Sequence, residues 1–135
     1  MADVVTSQTI QDGARVAILK FTNVSDSSGE SAVVKVDVSA LSADPLTGKS
    51  CSSVTVSKIQ YVTFGMSVKI EFDASTNVLI AHLPENYSDV LDFSDFSGIP
   101  NNAGSGKTGD IVFTTVGHAS GDAYTIVMTV IKNYS

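Results

Sequence analysis

Regular alternation near the end of the chain constrains the fold more than any other feature of the sequence. From residue 124 onward every second side chain is apolar, at Tyr124, Ile126, Met128 and Val130. The positions between them are half apolar, and they are Thr125, Val127, Thr129 and Ile131. Because successive side chains of a strand point to opposite faces, one face of this strand is fully apolar and the other partly so. Such a strand needs cover on both faces, so we predict that it lies centrally in its sheet.

A second β-rich segment, residues 111–116, comes just before this strand. The connection between the two segments is short and is bounded by Gly117 and Gly121. Two segments rich in β-branched and aromatic residues around a short glycine-bounded connection are typical of a β-hairpin. We therefore predict that the two segments pair directly with each other.

Further strands are expected upstream, at a spacing of roughly ten residues. We predict them at residues 14–24, 32–38, 54–64, 66–72, 78–83 and 90–93. In the 32–38 strand the alternation predicts that Val34, Val36 and Val38 share one face. In the 54–64 strand the apolar side changes near Lys58, which indicates a β-bulge.

Two long connections, residues 39–53 and 92–109, separate groups of these strands, and no segment has sustained helical periodicity. Many short strands with long connections among hairpins are typical of Greek-key folds. The sequence therefore predicts an all-β protein, a single β-sandwich of jelly-roll or Greek-key type with eight to nine strands and no long helix.

The length of 135 residues fits one domain. We divide the chain into an N-terminal arm, residues 1–9, and a β-sandwich domain, residues 10–135. Within the arm, Val4 and Val5 are the apolar residues that can pair at a sheet edge, so they are candidates for protein contacts. The chain has a single cysteine, Cys51, and its start lacks the pattern of a secretion signal. We therefore expect synthesis in a reducing cytoplasm, without disulfides.

Charge is sparse and negative in this sequence. Charged residues make up 16% of the chain, and the net charge is −6. Binding to nucleic acid needs a concentration of Lys and Arg that this chain does not have, so we predict no nucleic-acid partner. We also predict no membrane partner, since no apolar stretch approaches the length that spans a bilayer. So little charge indicates either a surface rich in Ser and Thr or a surface covered by a partner.

One short motif resembles a phosphate-binding loop, at residues 104–108. The full motif requires glycine at the position of Asn101, and it leads into a helix whose N-terminus holds the phosphate. Here Asp110 leads into a β-rich segment instead. We interpret residues 104–108 as a flexible loop and predict no nucleotide cofactor.

The remaining polar residues do not form a recognisable catalytic or metal-binding pattern. His82 and His118 are the only histidines, and a metal site requires them to converge with a carboxylate. Carboxylates recur at Asp89, Asp92, Asp95 and Asp110. These four carboxylates are a separate candidate site, for Ca²⁺, although their spacing matches no standard calcium loop. The alternative is that these aspartates cap turns, as aspartates commonly do. Cys51 has no partner pattern of a catalytic triad, so we predict no enzyme, no metal and no cofactor.

Bulky apolar residues interrupt the otherwise polar second connection. They are Phe93, Phe96, Ile99 and Pro100. In one interpretation, which we favour, they pack beneath the sandwich as a small cluster. In the other they form an apolar contact surface with a polar rim for another protein, and on this basis they are candidate contact residues.

Two segments together resemble a known family. They are Gln8–Asp37 and Phe96–Thr115, the second continuing into the terminal strand. They resemble small virion proteins of tailed, mostly short-tailed, bacteriophages. Within that group they are most similar to the jelly-roll cement, or decoration, proteins that dimerise on the outside of the capsid. No single functional residue is carried over, because structural segments and not a site motif mark this family.

The resemblance implies a structural role and not a chemical one. It implies a homodimer that binds across neighbouring subunits of the major capsid protein and stabilises the shell against the internal pressure of DNA. The protein would be made in the cytoplasm of the host bacterium and reside on the capsid exterior. The alternative function is a carbohydrate- or receptor-binding jelly-roll module of a phage fibre or adhesin. The absence of Trp and the presence of only four Tyr disfavour that alternative, since sugar-binding modules usually present aromatic platforms.

Overall fold

The computed structural model describes residues 4–13, 15–25, 30–93, 98–99, 106, 109–117 and 119–134. These residues form nine strands and one short 3-10 turn, Val38–Ala40. The strands are β1 Val4–Asp12, β2 Val16–Val24, β3 Val33–Val36, β4 Cys51–Phe64, β5 Ser67–Phe72, β6 Val78–Leu83, β7 Ser88–Asp92, β8 Ile111–Val116 and β9 Ala123–Tyr134. One sheet has the order β1-β2-β9-β4-β7 and the other has the order β3-β8-β5-β6. No helix in the described part of the chain has the length and apolar character needed to cross a bilayer.

Nested strand pairing identifies the fold as a jelly roll. β2 pairs with β9, β3 with β8, β4 with β7 and β5 with β6, all antiparallel. The chain therefore resembles one long hairpin whose successive strand pairs alternate between the two sheets as it wraps around the core. The β4–β9 and β5–β8 pairs then complete each sheet. The predicted all-β, jelly-roll sandwich of eight to nine strands is confirmed.

The predicted terminal hairpin is wrong. β8 lies in the four-stranded sheet and β9 lies in the five-stranded sheet, so the two strands do not pair. Their connection passes from one sheet to the other, with Gly117 and Gly121 both at positive φ, 70° and 93°. A short connection between two β segments is equally compatible with pairing and with crossing the sandwich, because both only require the chain to reverse direction.

The central position of β9 is confirmed. It lies between β2 and β4, the third of five strands. The predicted apolar face is buried, with Tyr124 2% exposed and Ile126, Met128 and Val130 fully buried. The opposite face is half-buried. Phe21 and Tyr124 each meet Phe113 of the other sheet edge to face, with ring centroids 5.3 and 5.9 Å apart, so these rings join the two layers.

The bulge predicted near Lys58 is also confirmed. The register of β4 against β9 shifts between Val56 and Lys58. Val54 and Val56 are buried before the shift, and Ile59 and Tyr61 are buried after it. The extra residue keeps apolar side chains on the inner face along all fourteen residues of the strand.

A similar irregularity in β3 changes the predicted face of that strand. The register against β8 shifts between Val34 and Val36. Val36 and Val38 are buried as predicted, but Val34 is 47% exposed. The Lys35 side chain turns inward instead, where it is 3% exposed and its Nζ lies 2.5 Å from Glu30 Oε2. Inward placement of a charged residue is stable here because a buried carboxylate pairs with it.

The predicted arm is not separate from the sheet. β1 runs from Val4 to Asp12 and pairs with β2 along its length, from Val4 opposite Val24 to Asp12 opposite Ala17. The predicted division between residues 1–9 and residues 10–135 therefore falls inside a strand. The polar sequence of β1 lacks a buried alternating face, because β1 is an edge strand whose side chains from residue 5 to residue 11 are exposed, and so its pattern resembled that of an arm.

Candidate protein-contact surface

The outer face of the five-stranded sheet carries a row of apolar residues at one end. Strand register places Val24, Ala123 and Phe64 side by side on β2, β9 and β4. The adjacent row on this face crosses all five strands and contains Thr6, Thr22, Thr125, Val62 and Ser88. We call these eight residues the neutral sheet face. On β2, β4 and β9 they point outward because their neighbours along the strand are buried, and the register places Thr6 and Ser88 on the same face.

This surface is accessible and uncharged. Phe64 is 66% exposed, Val62 is 53% exposed and Val24 is 49% exposed. None of the eight residues carries a charge. Contiguous exposed apolar residues with polar neighbours are typical of protein contact sites. Hydroxyl groups in the second row bond to one another, since Thr6 Oγ1 lies within hydrogen-bond distance of Thr22 Oγ1.

A network of hydrogen bonds holds the exposed end of β4 in place. Thr63 Oγ1 donates to the carbonyl of Pro84 over 2.5 Å, and the Thr63 N–H donates to the carbonyl of Tyr87 over 2.8 Å. The Gly65 N–H donates to Asn86 Oδ1 over 2.8 Å. Phe64 and the 53% exposed Tyr87 line one shallow groove. Both aromatic side chains are therefore presented from an ordered corner.

The other end of the same face is charged. Lys20 lies one row beyond the threonines, opposite Val127. Lys58 follows in the next row, directly opposite Asp92 of β7. The face thus divides into a neutral half and a charged half, and the neutral half is the part that can be covered without desolvating an ion.

The structure separates the residues that the sequence proposed as contacts. The backbone of Val4 lies opposite Val24, beside the neutral sheet face. Val5 is 39% exposed and points to the opposite side of the sheet. The positions of Phe96 and Pro100 lie outside the described residues.

Phe93 and Ile99 are turned inward. Both are partly buried and pack against the core. Ile99 pairs with Val56 through two backbone hydrogen bonds of 2.8 and 3.0 Å, and the Phe93 N–H donates to the Ser57 carbonyl over 2.8 Å. This packing agrees with the cluster beneath the sandwich that we favoured.

Sequence reasoning missed the neutral sheet face, although its signal was present. At this end of β2, β4 and β9 the outward positions are Val, Thr, Ala or Phe, where a fully solvated strand would carry Lys, Glu or Asp. This surface could not be recognised from the sequence, because only the strand register shows that Val24, Phe64 and Thr125 belong to one surface.

Those of the other predicted chemical candidates that the structure describes lie on different elements. His82 lies on β6, where its Nε2 is 3.2 Å from Ser67 Oγ. Asp89 and Asp92 lie on β7, whereas Asp110 precedes β8 and accepts a hydrogen bond of 2.9 Å from the Val38 N–H. Burial raises the pKa of Asp110. No group of three or more metal-binding side chains occurs within the described ranges. The positions of His118 and Asp95 lie outside those ranges.

The loop that resembled a phosphate-binding motif leads into a strand. Gly106 is exposed and adopts a φ of 73°. Asp110 is followed at once by β8, so the helix that such a motif requires does not follow. The rest of residues 104–108 lies outside the described part of the chain.

Within the described ranges, two ion pairs lie at the periphery of the core, one of them buried and the other partly buried. In the first, Glu30 Oε2 binds Lys35 and Glu30 Oε1 accepts a 2.5 Å hydrogen bond from the Tyr124 hydroxyl. In the second, the fully buried Lys132 Nζ lies 2.5 Å from Asp12 Oδ1 and also donates to the carbonyl and hydroxyl oxygens of Ser42. All three ammonium protons of Lys132 thus have acceptors, and the pair ties β1 and the first long connection to β9.

Opposing effects set the pKa values of the second pair. Burial by itself would raise the pKa of Asp12, but hydrogen bonds from Lys132 and Ser42 outweigh it and hold that pKa below its ordinary value. Burial by itself would lower the pKa of Lys132, but the hydrogen bond to Asp12 outweighs it and raises that pKa. Both groups are therefore charged at neutral pH.

Comparison with known proteins shows distant structural similarity. No protein-family model matches the sequence, and no curated protein matches it. A cupin superfamily protein from Desulfitobacterium hafniense is 14% identical over 97% of this chain and 81% of its own, with a TM-score of 0.38. A mutant of a family 29 carbohydrate-binding module is 10% identical over 96% of this chain and 92% of its own, also with a TM-score of 0.38. Similarity at this level carries no argument about function.

Proposed function

We propose that this protein is a structural component of a tailed-phage virion, a cement or decoration protein that binds across subunits of the major capsid protein and stabilises the shell. The observation that carries the proposal is the neutral sheet face, together with the resemblance of Gln8–Asp37 and Phe96–Thr115 to that family. The protein acts by binding and not by catalysis, without metal or cofactor. It resides on the capsid exterior after synthesis in the bacterial cytoplasm.

The shape and chemistry of the neutral sheet face suit a large, static contact. Five hydrogen-bonded strands give a stiff, gently twisted surface, so binding orders few side chains. Its outward residues are mainly Val and Thr, whose stiff side chains lose little freedom on binding. The exposed Phe64 supplies an aromatic anchor of the kind that contributes most to binding energy.

Charge distribution points to the same part of the molecule. The protein carries a net charge of −6, and neighbouring copies on a crowded shell would repel one another through their charged surfaces. A contact through the neutral sheet face brings no ion out of water, so it avoids the penalty for desolvating charge. Binding as a homodimer would let each dimer contact two neighbouring capsid subunits.

The decisive experiment is rebinding of the purified protein to bare capsid shells, measured by co-sedimentation. We expect Phe64→Ser to weaken rebinding at least about tenfold, because an anchor residue of an interface typically contributes about 2 kcal/mol or more. Leu79→Ser is the matched control, since Leu79 is 52% exposed on β6 of the other sheet and should rebind normally. If the unmodified protein fails to bind shells, the cement function is wrong. If both variants rebind equally well, the neutral sheet face is not the contact.

A second function, binding of a carbohydrate or receptor as a module of a phage fibre or adhesin, is favoured by one observation. Phe64 and Tyr87 line the same groove with their rings exposed, and exposed rings can stack on sugars. Copy number separates the two functions: a cement protein is present in hundreds of copies per virion, whereas a fibre module is present in a few dozen at most. Quantitative gel analysis of purified virions gives that number.

A further inference from the structure

The described sheets have four edge strands, and they differ in how well each is protected from pairing with another chain. β3 has four residues and a bulge. β7 has five residues, two of which are the charged Asp89 and Asp92. β6 is followed directly by Pro84 and carries an irregularity in its pairing with β5. Short length, charge, proline and bulges are the usual devices that prevent edge-to-edge association.

β1 has fewer of these protective features than the other three edge strands. It is nine residues long, and from Val4 to Gln11 it contains no Lys, Arg, Asp, Glu or Pro. Its only irregularity is a register shift between Thr9 and Gln11, near its end. Within the described ranges no strand pairs with its outer edge. A long, uncharged edge of this kind is a template for another strand.

β1 also extends beyond the cover of the opposite sheet. Its side chains from Val5 to Gln11 are exposed on both faces, because the five-stranded sheet is one strand wider than the four-stranded sheet. A groove of about 190 Å³ is lined by Ser7 and Thr9 of β1, Leu19 and Phe21 of β2, and Lys35 and Val36 of β3. Nothing in the described part of the chain therefore hinders a strand from approaching its outer edge.

We infer that β1 pairs antiparallel with β1 of a second copy across a two-fold axis, which joins the two five-stranded sheets into one ten-stranded sheet. This inference rests on the homodimer of the proposed function and names the edge that forms it. An antiparallel pair centred near residue 7 joins residues 4–10 of both copies and spans about 24 Å at ~3.4 Å per residue. A symmetric pair of identical edges closes the assembly and leaves no equivalent edge free for further association.

A second copy fits this edge for two reasons. Two chains of charge −6 repel each other, but self-pairing of residues 4–11 places no like charges opposite one another, since the segment has none. In addition, Thr6 of β1 belongs to the neutral sheet face. Joining the two β1 edges about a two-fold axis places the neutral sheet faces of both copies on one side of the joined sheet, so both can contact the same capsid.

Cysteine cross-linking tests the inference on the full-length protein in solution. In an antiparallel pair centred near residue 7, Ser7 of the two copies lies within the Cα separation that a disulfide spans, so Ser7→Cys should form a covalent dimer on mild oxidation. Ser75→Cys is the matched control, an exposed serine in the turn between β5 and β6 of the other sheet. The native Cys51 is 4% exposed, and burial raises its pKa, so it should not compete. A register centred one residue away is covered by Thr6→Cys and Gln8→Cys.

Reversible association provides a second readout, by size-exclusion chromatography with light scattering. Ser7→Lys should raise the dimer dissociation constant at least about tenfold, because symmetric pairing brings two added ammonium groups together. Ser75→Lys should change it less than about twofold. The inference is overturned if the protein is monomeric at high micromolar concentration, if Ser75→Cys cross-links as well as the β1 variants, or if Ser7→Lys dimerises normally. Because these measurements use no capsid, a failure here leaves the shell-rebinding result to decide the proposed function separately.

Discussion

Ile126 and Val130 show how individual residues of β9 stabilise the sandwich. Both are fully buried between the sheets. Replacing Ile126 by Ala removes buried methyl and methylene groups and leaves a cavity, so we expect the free energy of unfolding to fall by about 2–5 kcal/mol. Val130→Ala removes fewer atoms and should lie at the lower end of that range. Equilibrium unfolding in urea measures both values.

Ile131 is the control for this prediction. It is the same residue type as Ile126 and lies on the half-buried outer face of the same strand. Ile131→Ala should lower the free energy of unfolding by less than about half as much, since the lost contacts scale with burial. Equal losses for the two isoleucines would contradict the assignment of the inner and outer faces.

The Asp12–Lys132 pair makes stability depend on pH in a defined direction. The pKa of Asp12 is lowered in the folded protein, so its contribution is present above the ordinary carboxyl pKa of about 4 and is lost as the pH falls through the folded value. The pKa of Lys132 is raised, so its contribution is present below about pH 10 and is lost as the pH rises through the folded value.

Asp12→Asn tests the acid side of this dependence. The variant should be less stable than the wild type at pH 6, because Lys132 loses its buried charged partner. The difference should shrink as the pH falls from about 4 through the lower pKa of the folded carboxyl, because the folded wild-type carboxyl becomes protonated only below that pKa. Urea unfolding between pH 6 and pH 2 measures the difference. Asp89→Asn, at an exposed position on β7, should give no comparable trend, and a constant difference for Asp12→Asn would contradict the pairing.

At the scale of elements, the turns that end strands depend on glycine where another backbone approaches. Gly109 precedes β8 at a φ of 86°, and an added Cβ would collide with the Ser52 carbonyl oxygen. Gly48 has a similar φ of 75°, but an added Cβ there would meet no atom within 4 Å. The two positions separate the effect of backbone conformation from that of steric collision.

We therefore expect different losses from the same substitution. Gly48→Ala should lower the free energy of unfolding by about 1–2 kcal/mol, from the left-handed conformation alone. Gly109→Ala should lower it by about 2–4 kcal/mol, since the collision forces the β8 entry away from β4. Thermal unfolding followed by circular dichroism gives the ranking, and equal losses would show that the Ser52 carbonyl moves aside easily.

The strands differ in how well their sequences predicted them. β4, with its bulge near Lys58, and β9 were readable because burial of one face imposes a local alternation on each strand. The pairing partners of β8 could not be predicted, because pairing between strands far apart in the sequence produces no local sequence pattern. The inward turn of Lys35 was likewise hidden, since a charged residue at a bulge looks like an outward one until its partner Glu30 is placed beside it.

For the whole molecule, the proposed capsid contact has a consequence for salt dependence. Interfaces that rely on ion pairs weaken as salt rises, because exposed charges are screened. The neutral sheet face contains no charged residue, so the affinity for capsid shells should change by less than about threefold between 50 mM and 500 mM NaCl. Co-sedimentation across that range measures it, and a loss of tenfold or more would point to the charged half of the face, around Lys20 and Lys58.

The sequence by itself determined the all-β class, the sandwich, the buried face of β9 and the position of the β4 bulge. These features follow from alternation within single strands, which the order of residues records directly. Only the tertiary structure decided that β8 and β9 lie in different sheets, that β1 is an edge strand and that Val24, Phe64 and Thr125 form one surface. Each of these depends on which distant strands hydrogen-bond and in what register, and many registers satisfy the same local pattern.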